Sequence, residues 1–415
     1  MADIDESKTN GGRLFTPGKL GPITLRNRAI RSAAFENMAT NNSPSEMLFN
    51  YHKSVAEGGA GMTTVAYASV TQSGLSFKNQ LWLRPEIIPG LRKMTDAIHA
   101  AGAAASIQIG HCGNMSHRNL TKCTPLSASS GFNMYAYTLY RGLKEHEMIE
   151  MAKSYGTAVK LAREAGFDCV EVHAGHGYLI SQFLSKYTNR RKDQYGGPLS
   201  NRMKFMDMCI NEALEASEGK CAVIAKTNMR DGFKGGNDIE DGLEIAKELK
   251  RIGIQGMVLS GGFVSKAPMY VMRGTLPMKS MTYYMHPLWI KFFAKIFGPM
   301  IVPPVPFQEA YFLEDALRFR KEISNVPLIY VGGLVCRKKI EEVLGDGFEF
   351  VQMARAFVTQ PDFVNKMKEG EESCDCGHSN YCIARMYSLE MACHKHLTEK
   401  LPKSLENEIA RLENK

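Results

Sequence analysis

The sequence predicts an α/β fold, and within that class a (β/α)8 TIM barrel. Eight short β-rich apolar runs alternate along the chain with stretches of helical periodicity, which is the pattern of a parallel sheet covered by helices. The runs are nearly continuous in apolar residues, as strands buried on both faces require. Eight such units are the number that closes a barrel. A doubly wound open sheet is the alternative that the pattern leaves.

The predicted strands are distributed over most of the chain. In chain order they are Ala29–Ser32, Met62–Ala66, Ala103–Ile109, Cys169–His173, Ala222–Thr227, Gly256–Ser260, Leu328–Val331 and Phe348–Met353. Between them, apolar residues recur three and four positions apart, as at Leu91, Met94 and Ile98, which predicts helices with one buried face. Gly102 and Gly253 follow two of these periods, where a helix is expected to end.

The composition is that of an ordinary folded protein. A length of 415 residues fits one barrel, and 44% hydrophobic with 23% charged residues excludes wholesale disorder. The net charge is +8, but the longest basic runs, Arg190–Lys192 and Arg337–Lys339, are short and are not interleaved with aromatic residues. No nucleic-acid partner is therefore expected.

Neither an export signal nor a membrane span is expected. The first ten residues are polar and acidic, without an apolar run. The apolar stretch Tyr284–Val305 is interrupted by Lys291, Lys295 and prolines, so it cannot cross a bilayer as one helix. Ten cysteines without a secretory context predict reduced thiols and a cytoplasmic location.

Two segments do not belong to the barrel repeat. The barrel domain is predicted over residues 1–372, with an insertion at 263–307 between the sixth and seventh strands that is rich in Met, Tyr, Phe and Pro. We expect this insertion to form a lid and a substrate wall, or alternatively a surface helix packed through Trp289 and Phe293. The tail, residues 373–415, begins cysteine-rich and is expected to contact the barrel or a neighbouring subunit, which leaves a homo-oligomer open.

The strongest chemical signal lies at the end of the fourth predicted strand. His173, His176 and Tyr178 follow within six residues, at the edge where ligands bind to parallel barrels. Two imidazoles and a phenol can hydrogen-bond an oxyanion and transfer a proton, which suits chemistry on a carbonyl compound. The two histidines could also ligate zinc with Glu171, but a clear third ligand is missing.

The ends of the last two predicted strands indicate a phosphate site. Gly332-Gly333 follows the seventh strand, and Ala354-Arg355 follows the eighth. Glycines allow backbone N–H groups to approach a phosphate, and an arginine adds a full positive charge. Each turn alone is a weak signal, because a simple tight turn explains it equally well.

Several motifs, in the same order along roughly residues 12 to 370, make the chain resemble the old yellow enzyme family. They are Leu14-Phe-Thr-Pro17, Leu25-Arg-Asn-Arg28, Gln108-Ile-Gly-His111, His173-Ala-Gly-His-Gly-Tyr178, Asn189-Arg-Arg-Lys-Asp-Gln-Tyr-Gly-Gly197, Asn201-Arg202, Gly332-Gly333 and Ala354-Arg355. The resemblance implies an eight-stranded barrel that binds FMN and takes electrons from NADH or NADPH.

The resemblance also implies which positions hold the cofactor. Gln108 is expected at the pyrimidine edge of the flavin ring, and Lys226 beside its N1 and O2. Phe35 stands where many relatives place Thr or Cys near the N5 and O4 edge, and a phenyl ring cannot donate that hydrogen bond. The remaining predicted contacts to FMN are Ala34, Tyr67, Gly332, Gly333, Ala354 and Arg355.

The implied reaction is reduction of the C=C bond of an α,β-unsaturated carbonyl compound. His173 and His176 are expected to hold the carbonyl oxygen of this small-molecule enone, and Tyr178 to protonate its α carbon. The composition of the insertion favours a bulky, apolar substrate. Two alternatives stay open: a dienoyl-CoA or steroid enone reductase that needs an electron partner, and a barrel that binds flavin or another ligand without turnover.

The tail departs from a pattern of larger relatives of the dienoyl-CoA reductase type, which carry four cysteines for a 4Fe-4S cluster. Cys376, Cys382 and Cys393 fit parts of that pattern, but Ser379 stands where another cysteine would fall. A 4Fe-4S cluster, or a zinc site completed by a nearby histidine, is therefore disfavoured. Free thiols are the expectation.

Overall fold

Eight parallel strands close into a barrel. The computed structural model describes residues 12–133, 138–274, 276–277, 281–282, 292, 296–298, 302–386 and 389–394. Each strand pairs in parallel with its neighbours along the chain, and the last pairs with the first, so the predicted barrel is confirmed. The strands are β1 (Ala29–Arg31), β2 (Met62–Ser69), β3 (Ala104–Gly110), β4 (Cys169–His173), β5 (Ala222–Asn228), β6 (Met257–Ser260), β7 (Leu328–Val331) and β8 (Phe350–Met353).

Helices follow the strands around the barrel. The longer ones are α1 (Glu46–Glu57), α2 (Ile88–Ala100), α3 (Glu145–Glu164), α4 (Leu199–Ser217), α5 (Ile239–Arg251), α6 (Leu313–Glu322), α7 (Arg337–Gly345) and α8 (Phe363–Glu369). Leu91, Met94 and Ile98 of α2 are fully buried, as their spacing predicts. Gly102 and Gly253 adopt positive φ just after α2 and α5, where residues with a side chain would be strained.

An apolar plug closes the amino end of the barrel. A hairpin of two short strands, Gly18–Leu20 and Ile23–Leu25, pairs antiparallel before β1. Its buried Leu20 and Leu25 pack in one cluster with Met62, Ala222 and other residues from the starts of the barrel strands. Because this end is filled with apolar side chains, polar chemistry is confined to the carboxyl end.

The connection between β3 and α3 holds a small sheet that the sequence analysis did not predict. Its strands, Leu126–Ser127, Gly131–Asn133 and Thr138–Gly142, are two to five residues long. Strands this short show no reliable alternation of polar and apolar residues, so periodicity cannot reveal them.

The described part of the tail packs on the barrel. The side-chain amide of Asn37, in the loop after β1, donates to the carbonyl oxygen of Leu389 at 2.8 Å. The backbone N–H of Met391 donates to the carbonyl oxygen of Glu36 at 2.8 Å. Parts of the predicted insertion, including Trp289 and Phe293, and the end of the tail lie outside the described residues.

Within the described residues, no helix combines the length and the apolar character that a membrane span requires.

Short helices, each of four to six residues, also occur. They are Arg118–Thr121, Leu179–Leu184, Pro268–Met272, Arg355–Thr359 and Tyr381–Arg385. Two of them, Leu179–Leu184 and Arg355–Thr359, begin at the predicted site.

Candidate active site

The turn after β4 fixes the tautomer of His173. This residue ends the strand and is 4% exposed. The backbone N–H of Gly175 donates to Nδ1 of His173 at 3.4 Å. Because Nδ1 is then an acceptor, the proton of the neutral ring lies on Nε2, which can donate to a ligand.

His176 is held against β5 and β6 in a left-handed backbone conformation, with φ 58°. Its backbone N–H donates to Oδ1 of Asn228 at 2.9 Å, and its Nε2 lies 2.7 Å from Oγ of Ser260. The rings of His173 and His176 are perpendicular, with centroids 5.0 Å apart. The turn thus places the two imidazoles side by side, as the motif predicts.

Burial keeps both imidazoles neutral. Desolvation, with a smaller effect of the Lys226 charge, lowers the pKa of His176 to about 3. Desolvation, then the neighbouring His176 and Lys226, lowers the pKa of His173 well below its ordinary value. Near neutral pH both rings are therefore uncharged hydrogen-bond donors.

Tyr178 packs beside this pair at the start of the short helix Leu179–Leu184. Its ring is tilted against His173, with centroids 4.4 Å apart, and meets Tyr67 edge-on at 5.1 Å. The Tyr67 hydroxyl lies 2.7 Å from Oγ of Ser76, and burial raises the pKa of Tyr67 well above its ordinary value. Tyr67 is therefore a neutral residue that supports the ring of Tyr178.

A buried polar layer crosses the barrel interior next to the β4 end. Oε1 of Glu171 accepts from Nε2 of Gln108 at 2.6 Å and pairs with Nζ of Lys226 at 2.9 Å, while its Oε2 accepts from Nε2 of Gln352 at 2.7 Å. Oγ of Ser32 accepts from Lys226 at 3.2 Å and donates to Oε1 of Gln352 at 2.9 Å. All five residues are at most 4% exposed.

This layer brings together predicted and unpredicted residues. Lys226 is the register partner of His173, and Gln108 is that of Glu171. Sequence reasoning did not find Gln352, although a polar residue inside the apolar run of β8 was the available signal. Sequence reasoning placed Glu171 in the barrel interior, but only as a doubtful metal ligand. In the structure, its carboxylate pairs with Lys226.

The loop between β1 and α1 is fixed by a buried ion pair. Nη1 of Arg31 lies 2.7 Å from Oε1 of Glu36, and Nη2 of Arg31 donates to the carbonyl oxygen of Ala34 at 3.3 Å. The ring of Phe35 stacks on Phe77 with centroids 4.2 Å apart. Sequence reasoning missed the Arg31–Glu36 pair, which orients both predicted residues of this loop.

The predicted phosphate residues lie on the β7 and β8 sides of the same barrel end. A Cβ atom at Gly332 would lie 3.0 Å from a ring carbon of Phe312, and one at Gly333, where φ is 75°, would lie 2.7 Å from a ring carbon of Tyr311. Neither position accommodates a side chain without movement of these rings. Arg355 begins the helix after β8, and the N-cap residue of that helix is Ala354.

The side chains present fit an FMN molecule. Gln108 and Lys226 supply an amide and an ammonium group, the donors that the carbonyl-rich pyrimidine edge of a flavin needs. Backbone without side chains at Gly332 and Gly333, next to Arg355, suits a phosphate. The two donor sets lie on different strands at one end of the barrel, as an elongated cofactor requires.

The cysteines of the tail are free thiols. Cys376, Cys382 and Cys393 line one small pocket together with Arg355 and Asn380. Burial raises the pKa of Cys382 to about 11, so its thiol stays protonated near neutral pH. Across the described ranges, no three His, Cys, Asp or Glu side chains are placed to hold a metal ion.

Known proteins resemble the chain in sequence and in fold. It is 38% identical over 379 residues to 4,4'-dithiodibutanoate disulfide reductase from Rhodococcus erythropolis, covering 90% of this chain and 93% of that protein. It is 27% identical to an NADH oxidase from Thermoanaerobacter brockii over 88% of this chain but only 52% of that protein, so it spans about half of that relative.

A solved old yellow enzyme homologue from Zymomonas mobilis superposes with a TM-score of 0.68 at 21% identity, covering 87% of this chain and 94% of the other. Residues 13–270 match the family model described as NADH:flavin oxidoreductase / NADH oxidase. The chain belongs to this family, and it is an NAD(P)H-dependent flavin oxidoreductase whose cofactor is FMN.

Proposed function

We propose that the enzyme is an ene-reductase, which uses NAD(P)H to reduce the C=C bond of α,β-unsaturated carbonyl compounds. The observation that carries this proposal is the pair of neutral imidazole donors, His173 and His176, packed against Tyr178 at one barrel end. When bound, FMN supplies hydride transfer from NAD(P)H to the acceptor. The chain supplies the groups that bind the acceptor and complete the reaction.

The two imidazoles are suited to hold the carbonyl oxygen of the acceptor. Negative charge gathers on that oxygen when the β carbon gains a hydride, so donors aimed at it act mostly in the transition state. The Nε2–H of His173 is directed to a ligand by the contact of Nδ1 with Gly175. Each donor should lower the barrier by about 3 kcal/mol in such a buried site.

Tyr178 is the residue proposed to deliver the final proton to the α carbon. Its ring is fixed between His173 and Tyr67. The phenol of a tyrosine can act as a general acid. The transfer leaves the proton on carbon, and solvent restores the phenol.

A chain of aromatic rings borders the proposed acceptor site. Phe263 pairs in a β-bridge with His176, and its ring meets Phe233 edge-on at 5.6 Å. Phe233 in turn meets Tyr187 edge-on at 5.1 Å. Such rings favour acceptors with an apolar body over small polar ones.

Turnover in deuterium oxide tests the proposal. The enzyme, NADPH and 2-cyclohexenone are expected to give cyclohexanone with one deuterium at the α carbon, measured by mass spectrometry after rapid quenching. The Tyr178→Phe variant should lose alkene reduction by about 10²-fold while NADPH still bleaches the flavin. Absence of any enone, dienoyl-CoA or nitroalkene reduction would exclude the ene-reductase assignment.

A second candidate is disulfide reduction, favoured by the 38% identity to 4,4'-dithiodibutanoate disulfide reductase. In that reaction one disulfide, one NAD(P)H and one proton give two thiols and NAD(P)+. Nζ of Lys266 lies 4.9 Å from the ring centroid of Tyr187, the outermost ring of the aromatic chain. A cation there suits an acceptor that carries a carboxylate at the end of an apolar spacer.

The two candidates are separated by kcat/KM measured for each acceptor in separate reactions, because a thiol released in a mixture would add to the enone. Enzyme supplied with 4,4'-dithiodibutanoate should release free thiol, measured with a thiol reagent, and a larger kcat/KM for this acceptor supports disulfide reduction. A larger kcat/KM for 2-cyclohexenone supports the ene-reductase. In a mixture, NADPH consumption alone cannot distinguish them, because both acceptors oxidise it.

A further inference from the structure

The tail reaches the last barrel turn through Asn380. Oδ1 of Asn380 accepts from Nη1 of Arg355 at 2.8 Å. Its Nδ2 donates to the carbonyl oxygen of Arg273, in the segment after β6, at 2.7 Å. One amide therefore links three separate parts of the chain, namely the tail, the β8 turn and the β6 turn.

The conformation of Asn380 suits this link. The residue is 2% exposed, and its φ of 57° is in the left-handed region, which Asn adopts more readily than most residues with a side chain. It precedes the short helix Tyr381–Arg385, which packs beside Arg355 in the cysteine-lined pocket. The backbone thus turns sharply at the residue whose side chain bridges the two loops.

A second contact joins the tail to the glycine turn after β7. The ring of His378 stacks on Phe307 with centroids 3.4 Å apart. The Phe307 ring would lie 3.0 Å from a Cβ atom at Gly333, and the guanidinium of Arg355 lies 5.9 Å from its centroid. The tail therefore borders both turns that we assign to the phosphate.

Resting on the cofactor placement proposed above, we propose that Asn380 is a positioning residue that holds Arg355 ready for the FMN phosphate. A free arginine side chain samples many rotamers and loses conformational entropy when it is fixed. Asn380 holds Nη1 of the guanidinium, which also contacts Tyr311, and the remaining N–H groups can bind a phosphate. The entropy of the Arg355 side chain is then lost when the protein folds, so this loss does not weaken cofactor binding.

Comparison of FMN with riboflavin, which lacks the phosphate, tests this role. Full-length protein dialysed free of flavin is titrated with each compound, and binding is followed by quenching of flavin fluorescence. Asn380→Gly tolerates the left-handed backbone but removes both hydrogen bonds. We expect it to raise the Kd of FMN roughly tenfold, on the order of one lost hydrogen bond to a charged group, and to leave that of riboflavin within about twofold.

Two further variants assign the effect to Arg355. Arg355→Met should weaken FMN but not riboflavin, and adding Asn380→Gly to it should cause no further loss, because the two residues act through one contact. Asn365→Ala, which removes the side-chain hydrogen bond from Asn365 on α8 to the backbone carbonyl of Glu57 at the end of α1, is the matched control and should change neither Kd. Should Asn380→Gly fail to fold, Asn380→Ser gives the same comparison.

The outcomes separate the two proposals. If Arg355→Met leaves the FMN preference unchanged, the placement of the phosphate is wrong. If Arg355→Met removes the preference but Asn380→Gly does not, only the positioning role is overturned. Equal weakening of FMN and riboflavin by Asn380→Gly would show a general structural role for the tail, and it would also overturn the proposal.

Discussion

The β4 end and the polar layer inside the barrel present donors to the same site in opposite ways. At the β4 end, the imidazoles of His173 and His176 are neutral, and both residues lie close to Tyr178 in the sequence. In the polar layer, the Lys226–Glu171 pair is charged and fully enclosed. Substitutions at the β4 end should therefore affect the reaction. Substitutions in the polar layer should affect the stability of the fold and the binding of the cofactor.

The largest effect is expected from His173→Ala combined with His176→Ala. Loss of both donors should slow alkene reduction by more than about 10²-fold, because one such donor alone accounts for about 3 kcal/mol of the barrier. Reduction of the flavin by NAD(P)H should persist. Stopped-flow absorbance measures the two half-reactions separately, with the exposed His146→Ala variant as the control. Survival of both half-reactions would show that these histidines do not bind the acceptor.

A smaller effect, on stability, is expected from Lys226→Met. The change leaves the Glu171 carboxylate buried without its cation, which should lower the free energy of unfolding by about 3 kcal/mol. Adding Glu171→Gln should recover part of that loss, because the uncompensated charge disappears. Urea denaturation of Lys226→Met, Glu171→Gln and the double variant measures this. Additive losses would mean that the two side chains are not energetically coupled.

A further effect concerns pH. Burial lowers the pKa of His111, at the end of β3, to about 3, so the folded protein keeps this ring neutral. The unfolded chain binds a proton below pH 6.5, so the stability contribution is complete above that value and is lost as the pH falls. The free energy of unfolding should fall by about 2 kcal/mol between pH 6.5 and 5 for one such histidine.

His111→Gln should reduce the number of protons taken up on unfolding by one, and so reduce the slope of the free energy of unfolding against pH. Guanidinium denaturation at pH 7, 6 and 5 measures the slope for the wild type, for His111→Gln and for the exposed His146→Gln control. An unchanged slope in His111→Gln would show that the ring is protonated in the folded state or accessible to solvent.

The smallest effect is expected from substitution of Lys266, beside the outermost ring of the aromatic chain. Lys266→Gln should lower kcat/KM for a carboxylate-bearing acceptor by up to about fivefold, since an exposed ion pair contributes at most about 1 kcal/mol. The methyl ester of the same acceptor should be unaffected, and Lys266→Arg should retain the preference. Equal changes for acid and ester would indicate that Lys266 supports the site mechanically.

The same comparison explains what could be predicted from the sequence. The barrel followed from eight apolar runs, because their burial on both faces removes the polar alternation. The His173 to Tyr178 motif was visible because its residues are contiguous. Its detailed geometry was not visible, since the partners of His176, Asn228 and Ser260, come from β5 and β6.

Most contacts of the polar layer and of the tail could not be predicted from the sequence. Gln352 and Ser32 join Lys226 only after the barrel closes, and no local pattern marks that meeting. Asn380 is a single polar residue in an irregular segment, and its two partners are 25 and 107 positions away in the chain. Contacts of that sequence separation depend on the closed fold rather than on periodicity.

The apolar plug formed by Leu20 and Leu25 at the amino end has a kinetic consequence. With that end filled, we expect the nicotinamide and the acceptor to reach the site from the carboxyl end and to bind there in turn. Initial rates should therefore follow a ping-pong pattern, with parallel lines in double-reciprocal plots. An excess of either substrate should inhibit the reaction.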